Sequence, residues 1–424
     1  MSDAQTAAIL ADESTRAQQQ KEDPPMKRWS SYLVALEKHR LLIHEDAFRD
    51  QVAFWDMPSI DCTANSFAAE RSIVELKKIG DETIKDLRYY SPLESLDLKK
   101  TSALLGRFTD PRTGVLRQNE DTLPDAASVD QGFRIIFRDT SYGRDDKSAM
   151  GSLAQKEMPK LFKQCSSFLG KCLVSAESGV YGNTPWSPPS IGATFSCLTV
   201  FCALHEHGLE DLIPLESSSR FQLLRDTIVE TYMRVTDSKV AFANLQGGPG
   251  HLCATYYATR ILTFLEQSDE VLRQIVPPTG ILKYLGACKT KDLCAYGEDP
   301  GQPNLIHTRY ALLIMRRLLD RFLVNPGELE PIVEPAARIV KYVNSCHHDD
   351  GYGVMPGVAP TVYSTRAAIK IVKSLKLLEN NGVFAATPEY AKGMEEFYRK
   401  VEGIRKFLTR CSDEKGAYAG IPLT

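Results

Sequence analysis

The stretch ARIVKYVNSCHHDDGYGVMPGVAPTVYST, residues 337–365, decides the reading of the fold. Apolar residues at spacings of three and four over 337–346 predict an amphipathic helix. A Gly-rich turn follows, then Pro360, then a second helical run. The same order recurs along the chain at Pro58-SIDCT, Pro124-DAASV, Pro189-SIGAT, Pro249-GHLCA, Pro303-NLIHT and Pro360-TVYST, with steps of 66, 65, 60, 54 and 57 residues between prolines. Each step holds two helices and their connections. Proline is expected inside the helix entrance, where it leaves no N–H unpaired and its φ is already near the helical value. Five residues after the proline stand Thr63, Val129, Thr194, Ala254, Thr308 and Thr365.

The repeating unit is therefore outer helix, turn, proline, inner helix. Six units predict an all-α chain forming a single (α/α)6 toroid of helical hairpins around a central cavity. An open solenoid is the alternative that any helical-pair repeat allows. Closure is favoured by the number of units and by inner helices rich in Gly, Ala, Ser and Cys, which can crowd near an axis. RFQLLRDTIVETYMRV and HTRYALLIMRRLLDRFL also read as continuous helices, and no alternating strand is evident. Residues 1–25 are polar, end in KEDPP and read as a disordered leader, leaving 26–424 as the toroid domain with structure starting near Trp29.

Composition sets the boundaries of function. With 43% hydrophobic and 25% charged residues and a net charge of −3, the chain is ordinary for a soluble globular protein and offers no electrostatic reason for a nucleic-acid partner. Its ten cysteines form no CxxC pair, and the N-terminus lacks an apolar export segment. Free thiols in a cytoplasmic protein follow, with no transmembrane segment.

Two segments carry a family resemblance. KFLTRCSDEKGAY, residues 406–418, follows the spacing of the repeat motif of squalene and oxidosqualene cyclases at Phe407, Leu408 and Gly416, with Ser412 and Tyr418 where that motif has Gln and Trp. Asp61-Cys62-Thr63-Ala64 resembles the DCTA segment that bears the catalytic acid of oxidosqualene cyclases, and Asn65 stands where those enzymes carry Glu. The chain resembles their active-site domain alone. It is thereby identified with the toroid superfamily of terpenoid cyclases and protein prenyltransferase β subunits.

The resemblance implies an intramolecular cyclase of the isomerase or lyase class, acting on a hydrophobic terpenoid of secondary metabolism. Asp61 would start the reaction, with Cys62 and Asn65 beside it. An acid of this kind must stay neutral, which burial promotes and the helix dipole opposes, so acid and helix-entry cap remain open for Asp61. Aromatic faces suit a developing carbocation, and by register the candidates are Phe133, Trp186, Phe195, Tyr256, Tyr257, Tyr310 and Tyr363; plain core packing is the other role open to each. His307 and Tyr310 lie one turn apart on a shared face. Arg309 and Arg366 share a register in successive repeats, where an anionic group, solvent or an interhelical ion pair could face them.

No metal or cofactor is expected. Asp292-x-Cys294 is similar to the zinc pair of protein prenyltransferases, but Tyr363-Ser364 occupies the place of their histidine, leaving too few ligands. His347-His348-Asp349-Asp350 reads as a polar turn. DDxxD, GxGxxG and GxxxxGK[ST] are absent. Two other functions share the cavity: a metal- and acid-independent pericyclase closing a terpenoid diene in a Diels–Alder step, aided by His307 or a tyrosine, and a non-catalytic subunit like the prenyltransferase β chain. As an enzyme, the chain is expected to be a monomer or homodimer.

Overall fold

The computed structural model describes residues 58–80, 98–119, 121–137, 154–174, 178–213, 221–266, 268–291, 295–298, 302–333, 335–413 and 417–422. All belong to one compact unit, Asp56–Thr424. The expected leader and the boundary near residue 26 lie outside the described residues, as do Trp29, Asp292, Cys294 and Gly416.

The helices are α1 (Ile60–Gly80), α2 (Leu98–Arg107), α3 (Ala126–Ile136), α4 (Pro159–Lys171), α5 (Ile191–Glu206), α6 (Phe221–Thr227), α7 (Leu252–Leu265), α8 (Asp269–Ile275), α9 (Pro278–Cys288), α10 (Leu305–Arg321), α11 (Pro326–Val333), α12 (Ala336–Ser345), α13 (Val362–Asn380), α14 (Pro388–Arg399) and α15 (Val401–Arg410). The chain is mostly helical, as its periodicity predicts. Helices α1, α3, α5, α7, α10 and α13 pack each against the next, and α13 returns to pack on α1. These six are buried nearly all round; on α13 only Asn380 is exposed. The helices that precede each turn bury a single stripe, such as Val401, Ile404, Phe407 and Leu408 on α15, as an outer layer requires.

One side chain device recurs at the inner helix starts. Thr194 Oγ1 accepts the N–H of Tyr181 at 3.0 Å, Thr308 that of Tyr296 at 3.1 Å, Thr365 that of Tyr352 at 3.0 Å and Thr63 that of Tyr418 at 3.0 Å. The fourth repeat uses Thr255, which accepts from Phe242 at 2.9 Å. Its register thus begins at Thr255, not at Ala254, because Gly250 adds a residue between Pro249 and the helix. Val129 has no hydroxyl to offer, and there the N–H of Leu116 turns to Cys165 instead. Adjacent repeats are stitched together by the first amide of five of the six inner helices: Ile60 donates to Gln118 O, Ala126 to Asn183 O, Ile191 to Asn244 O, Leu305 to Val354 O and Val362 to Gly420 O.

The prolines lie outside the helices, directly before the cap residue in five repeats and, as Pro249, two residues before it in the fourth. The caps are Ser59, Asp125, Ser190, His251, Asn304 and Thr361, whose side chains accept the N–H of Cys62, Ser128, Ala193, Ala254, His307 and Ser364. Proline therefore directs the chain into the cap instead of occupying the first helical turn, because the cap residue's own N–H is needed to bridge back to the turn, as Ser190 does to Tyr181 O. Glycine is required where two turn strands approach: a Cβ at Gly182 or Gly353 would collide with the carbonyl oxygen of Ser187 or Val358.

RFQLLRDTIVETYMRV is not one helix. Its α-helical part ends at Thr227, a π turn runs over Ile228–Tyr232, and β1 (Met233–Thr236) pairs antiparallel with β2 (Lys239–Phe242). Asp237 and Ser238, at φ of 50° and 60°, make the two-residue turn such a hairpin needs. The hairpin escaped the sequence reading because Asp-Ser lacks the glycine that usually marks it. β3 (His347–His348) and β4 (Gly351–Tyr352) form a second hairpin around Asp349 and Asp350, so that segment is the polar turn expected of it.

The threonines are predicted to be structural. Thr194→Val or Thr365→Val leaves a buried amide unpaired and should lower the free energy of unfolding by ~1–3 kcal/mol, whereas Val129→Thr should not. Chemical denaturation of the three variants checks this, and equal midpoints for all would contradict it.

Candidate active site in the ring

Side chains from all six ring helices meet inside the ring. On α13, Tyr363, Arg366, Lys370 and Lys373 are partly exposed while the residues between them are buried, which marks the inward stripe. Arg366 donates to Asn65 Oδ1 and Lys373 to Glu75, tying α13 to α1. Asn65 Nδ2 in turn donates to Asp61 Oδ1 at 2.9 Å and to its carbonyl oxygen at 2.8 Å. Among the described residues Asp61 Oδ2 has no hydrogen-bond partner. Burial raises the Asp61 carboxyl above its ordinary value, against the opposing pull of Arg366, Asn65, Arg134 and Arg309. Asp61 is not the cap of α1, since Ser59 holds that place.

With the corrected register, the residues equivalent to Asp61 are Ala127, Gly192, Cys253, Ile306 and Tyr363. The Cys253 thiol is pushed up to about 11 by burial. Cys62 faces the region of Cys411, and burial, then the Asp61 charge, pushes its thiol up to about 12, so it is no nucleophile at neutral pH.

Five of the expected aromatics gather. Phe195 stacks on Tyr257 at 4.5 Å, and the Tyr257 and Tyr310 hydroxyls lie 3.0 Å apart, with Tyr363 3.4 Å beyond Tyr310. Tyr256 packs against Tyr257 and Tyr310. Burial raises the Tyr257 and Tyr310 hydroxyls far above the ordinary phenol range, so both stay protonated hydrogen-bond donors. Phe133 instead packs with Phe137 and Phe162. Trp186 is 73% exposed on its turn. His307 has both ring nitrogens engaged: Nδ1 lies 2.8 Å from Asn304 Nδ2, and Nε2 lies 3.5 Å from Glu298, which also meets His251 Nδ1 at 3.3 Å. Burial lowers the His307 value, favouring the neutral ring.

The cations were less legible. Arg309 lies over Tyr310 at 5.0 Å and Tyr363 at 5.8 Å, and Arg260 over Phe195 at 5.3 Å and Tyr256 at 5.9 Å. Arg134 grips Asp130 through two hydrogen bonds of 2.8 and 2.7 Å and reaches Phe195 at 5.9 Å. Burial, then the charges of Arg309 and Arg134, bring Arg366 down to about 10, and burial with Arg366 depresses Lys370. Arg134, Arg260 and Lys370 each stand five residues after Val129, Thr255 and Thr365. That column was readable once the fourth repeat was set on Thr255. A cavity of about 330 Å³ opens at the C-terminal halves of α3, α5 and α7, lined by Phe133, Arg134, Phe137, Phe195, Arg260 and Phe264 among others; Asp61 is not in its wall.

The protonation of Asp61 has a stability consequence. Its folded value lies above the ordinary 3.8, so the folded chain holds the proton more tightly than the unfolded one. That contribution is complete below the unfolded value and is lost as pH rises through the folded one. Asp61→Asn should therefore melt above the wild type at pH 8, with the gap closing toward pH 4. A wild type more stable than the variant at pH 8 would mean a carboxylate paired with Arg366.

A solved structure of Candida albicans protein geranylgeranyltransferase-I complexed with GGPP matches the chain with a TM-score of 0.45 and 12% sequence identity, covering 78% of this chain and 97% of that one. No curated protein matches. Among the described residues no helix is long and apolar enough to cross a membrane. The model of the prenyltransferase alpha-alpha toroid domain matches residues 207–386 and 323–423. Those matches together span just over half of the sequence, and the chain belongs to the prenyltransferase alpha-alpha toroid domain family.

Proposed function

We propose that the chain is a cyclase that closes a ring within a hydrophobic terpenoid substrate held inside a complete six-hairpin toroid, by positioning and polarisation rather than through a carbocation. The observation that carries this reading is the placement of cations on the aromatic faces. Arg309 and Arg260 already cover Tyr310, Tyr363, Phe195 and Tyr256. A carbocation formed there would meet fixed like charges at short range, where a low dielectric magnifies repulsion. An electron-rich or carbonyl-bearing substrate is favoured by the same field. The hydroxyls of Tyr257 and Tyr310, which burial keeps protonated, supply a donor for a carbonyl whose oxygen gains charge as the ring closes. Confinement by Phe195 and the tyrosines holds the reacting ends together. His307 has no free nitrogen for this task, so a tyrosine is the better polarising group.

A second reading, acid-initiated cyclisation, is favoured by one specific observation. Burial raises the Asp61 carboxyl above its ordinary value, which favours the protonated form, and the neighbouring guanidiniums make it a stronger acid than burial alone would. Asn65 holds one carboxyl oxygen in place, and without a carboxylate at Asn65 the acid would regain its proton from the lumen itself.

Incubating the purified chain with the metabolite that accumulates when its gene is deleted separates the two. The polarisation reading predicts that Asp61→Asn keeps most of its turnover while Tyr310→Phe loses about a hundredfold. Abolished turnover in Asp61→Asn with an active Tyr310→Phe would replace it by the acid mechanism.

A further inference from the structure

Nε and Nη1 of Arg309 and Nε of Arg366 carry N–H groups that nothing accepts among the described residues. Arg309 keeps only 8% of its surface, and its guanidinium lies over the rings of Tyr310 and Tyr363. Arg366 spends one nitrogen on Asn65. Neither guanidinium has a carboxylate partner among the described residues: Asp61 sits within electrostatic reach but is itself pushed toward its neutral form. Leaving buried charge without a counter-ion or a full set of acceptors is strongly unfavourable, and such an arrangement survives where binding requires it.

Folding of the ring does not require it. Arg309 and Arg366 each follow the bridging threonine of their helix by one residue, and at that same position the other four helices carry Ala64, Asp130, Phe195 and Tyr256. The register accepts small, acidic and aromatic side chains alike. Two adjacent helices nevertheless place cations there, and burial and mutual repulsion work against both being charged.

We propose that Arg309 and Arg366 form an oxyanion subsite that receives the carboxylate of a hydrophobic substrate. Three unpaired nitrogens suit an acceptor with two oxygens, and one negative charge settles between two guanidiniums, of which Arg309 already lies over aromatic rings. A diphosphate brings more charge and more acceptor oxygens than these donors match. The apolar remainder would lie along Phe195, Tyr256 and Tyr257. This inference rests on the reading of the lumen as the ligand site, and it deepens that reading by fixing the substrate class; it does not depend on which ring-closing chemistry operates.

Calorimetric titration of the full chain with decanoate, decanol and inorganic pyrophosphate tests it without any turnover. Decanoate should bind at one site per chain at least about tenfold more tightly than decanol, a difference that charge-assisted hydrogen bonds readily supply. Arg309→Met and Arg366→Met should each erase the preference, and Arg309→Lys should keep part of it. Because the Met variants remove an unpaired buried charge, their melting temperatures should equal or exceed that of the wild type, so lost binding cannot be ascribed to lost folding. Equal affinity for acid and alcohol, a preference that survives in both Met variants, or displacement of decanoate by pyrophosphate would overturn the assignment. Carboxylate preference with no ring-closing activity would leave the subsite standing and remove the reaction; activity without the preference would do the reverse.

Discussion

The hydrogen bond between a threonine hydroxyl and the amide of an aromatic residue in the preceding turn is what the rest of this molecule depends on. The same hydroxyl donates to the carbonyl four residues back in its own helix, as Thr194 does to Ser190 and Thr308 to Asn304. One side chain therefore satisfies a turn amide and a helix start together. Repeated in five of the six units, it fixes the height at which each inner helix begins. In the last unit it joins Thr63 near one end of the described chain to Tyr418 near the other, so the bond that orders each repeat also closes the ring.

A common starting height has a chemical result. Residues at a given offset from the threonine form a layer around the lumen, and the layers differ in character. The layer of Asp61 is mostly small or apolar apart from Tyr363 and Cys253; the next holds Asp130, Phe195, Tyr256, Arg309 and Arg366; a deeper one holds Arg134, Arg260 and Lys370. Cation and aromatic side chains thus interleave across neighbouring helices, with the guanidiniums of Arg134, Arg260 and Arg309 lying over ring faces. Such a wall is greasy toward the body of a ligand and electropositive toward a single polar group on it.

The fold was legible because its signals are local and repeated. Proline, cap and threonine recur at nearly fixed offsets, and only a repeat count was needed to expect closure. Errors came where one residue broke the period: Gly250 shifted the fourth register and hid Cys253, and Asp237-Ser238 formed a hairpin turn without its usual glycine. The site was legible as a list and less so as an arrangement. Tyr256, Tyr257, Tyr310 and Tyr363 could be placed by register, but the reach of Arg260 to Phe195 and of Arg309 to Tyr363 depends on neighbours from other helices, which no single segment encodes. Phe133 and Trp186 illustrate the same limit, since an aromatic in register can turn toward the outer layer or, on a turn, toward solvent.

The central claim is that the ring encloses unneutralised positive charge that a ligand is meant to meet. Bromide anomalous scattering from crystals of the chain addresses it directly. A dominant peak inside the ring, within contact of Arg309 and Arg366, is the predicted result. Bromide confined to outer surfaces, with both guanidiniums paired to carboxylates of the chain itself, would contradict the account.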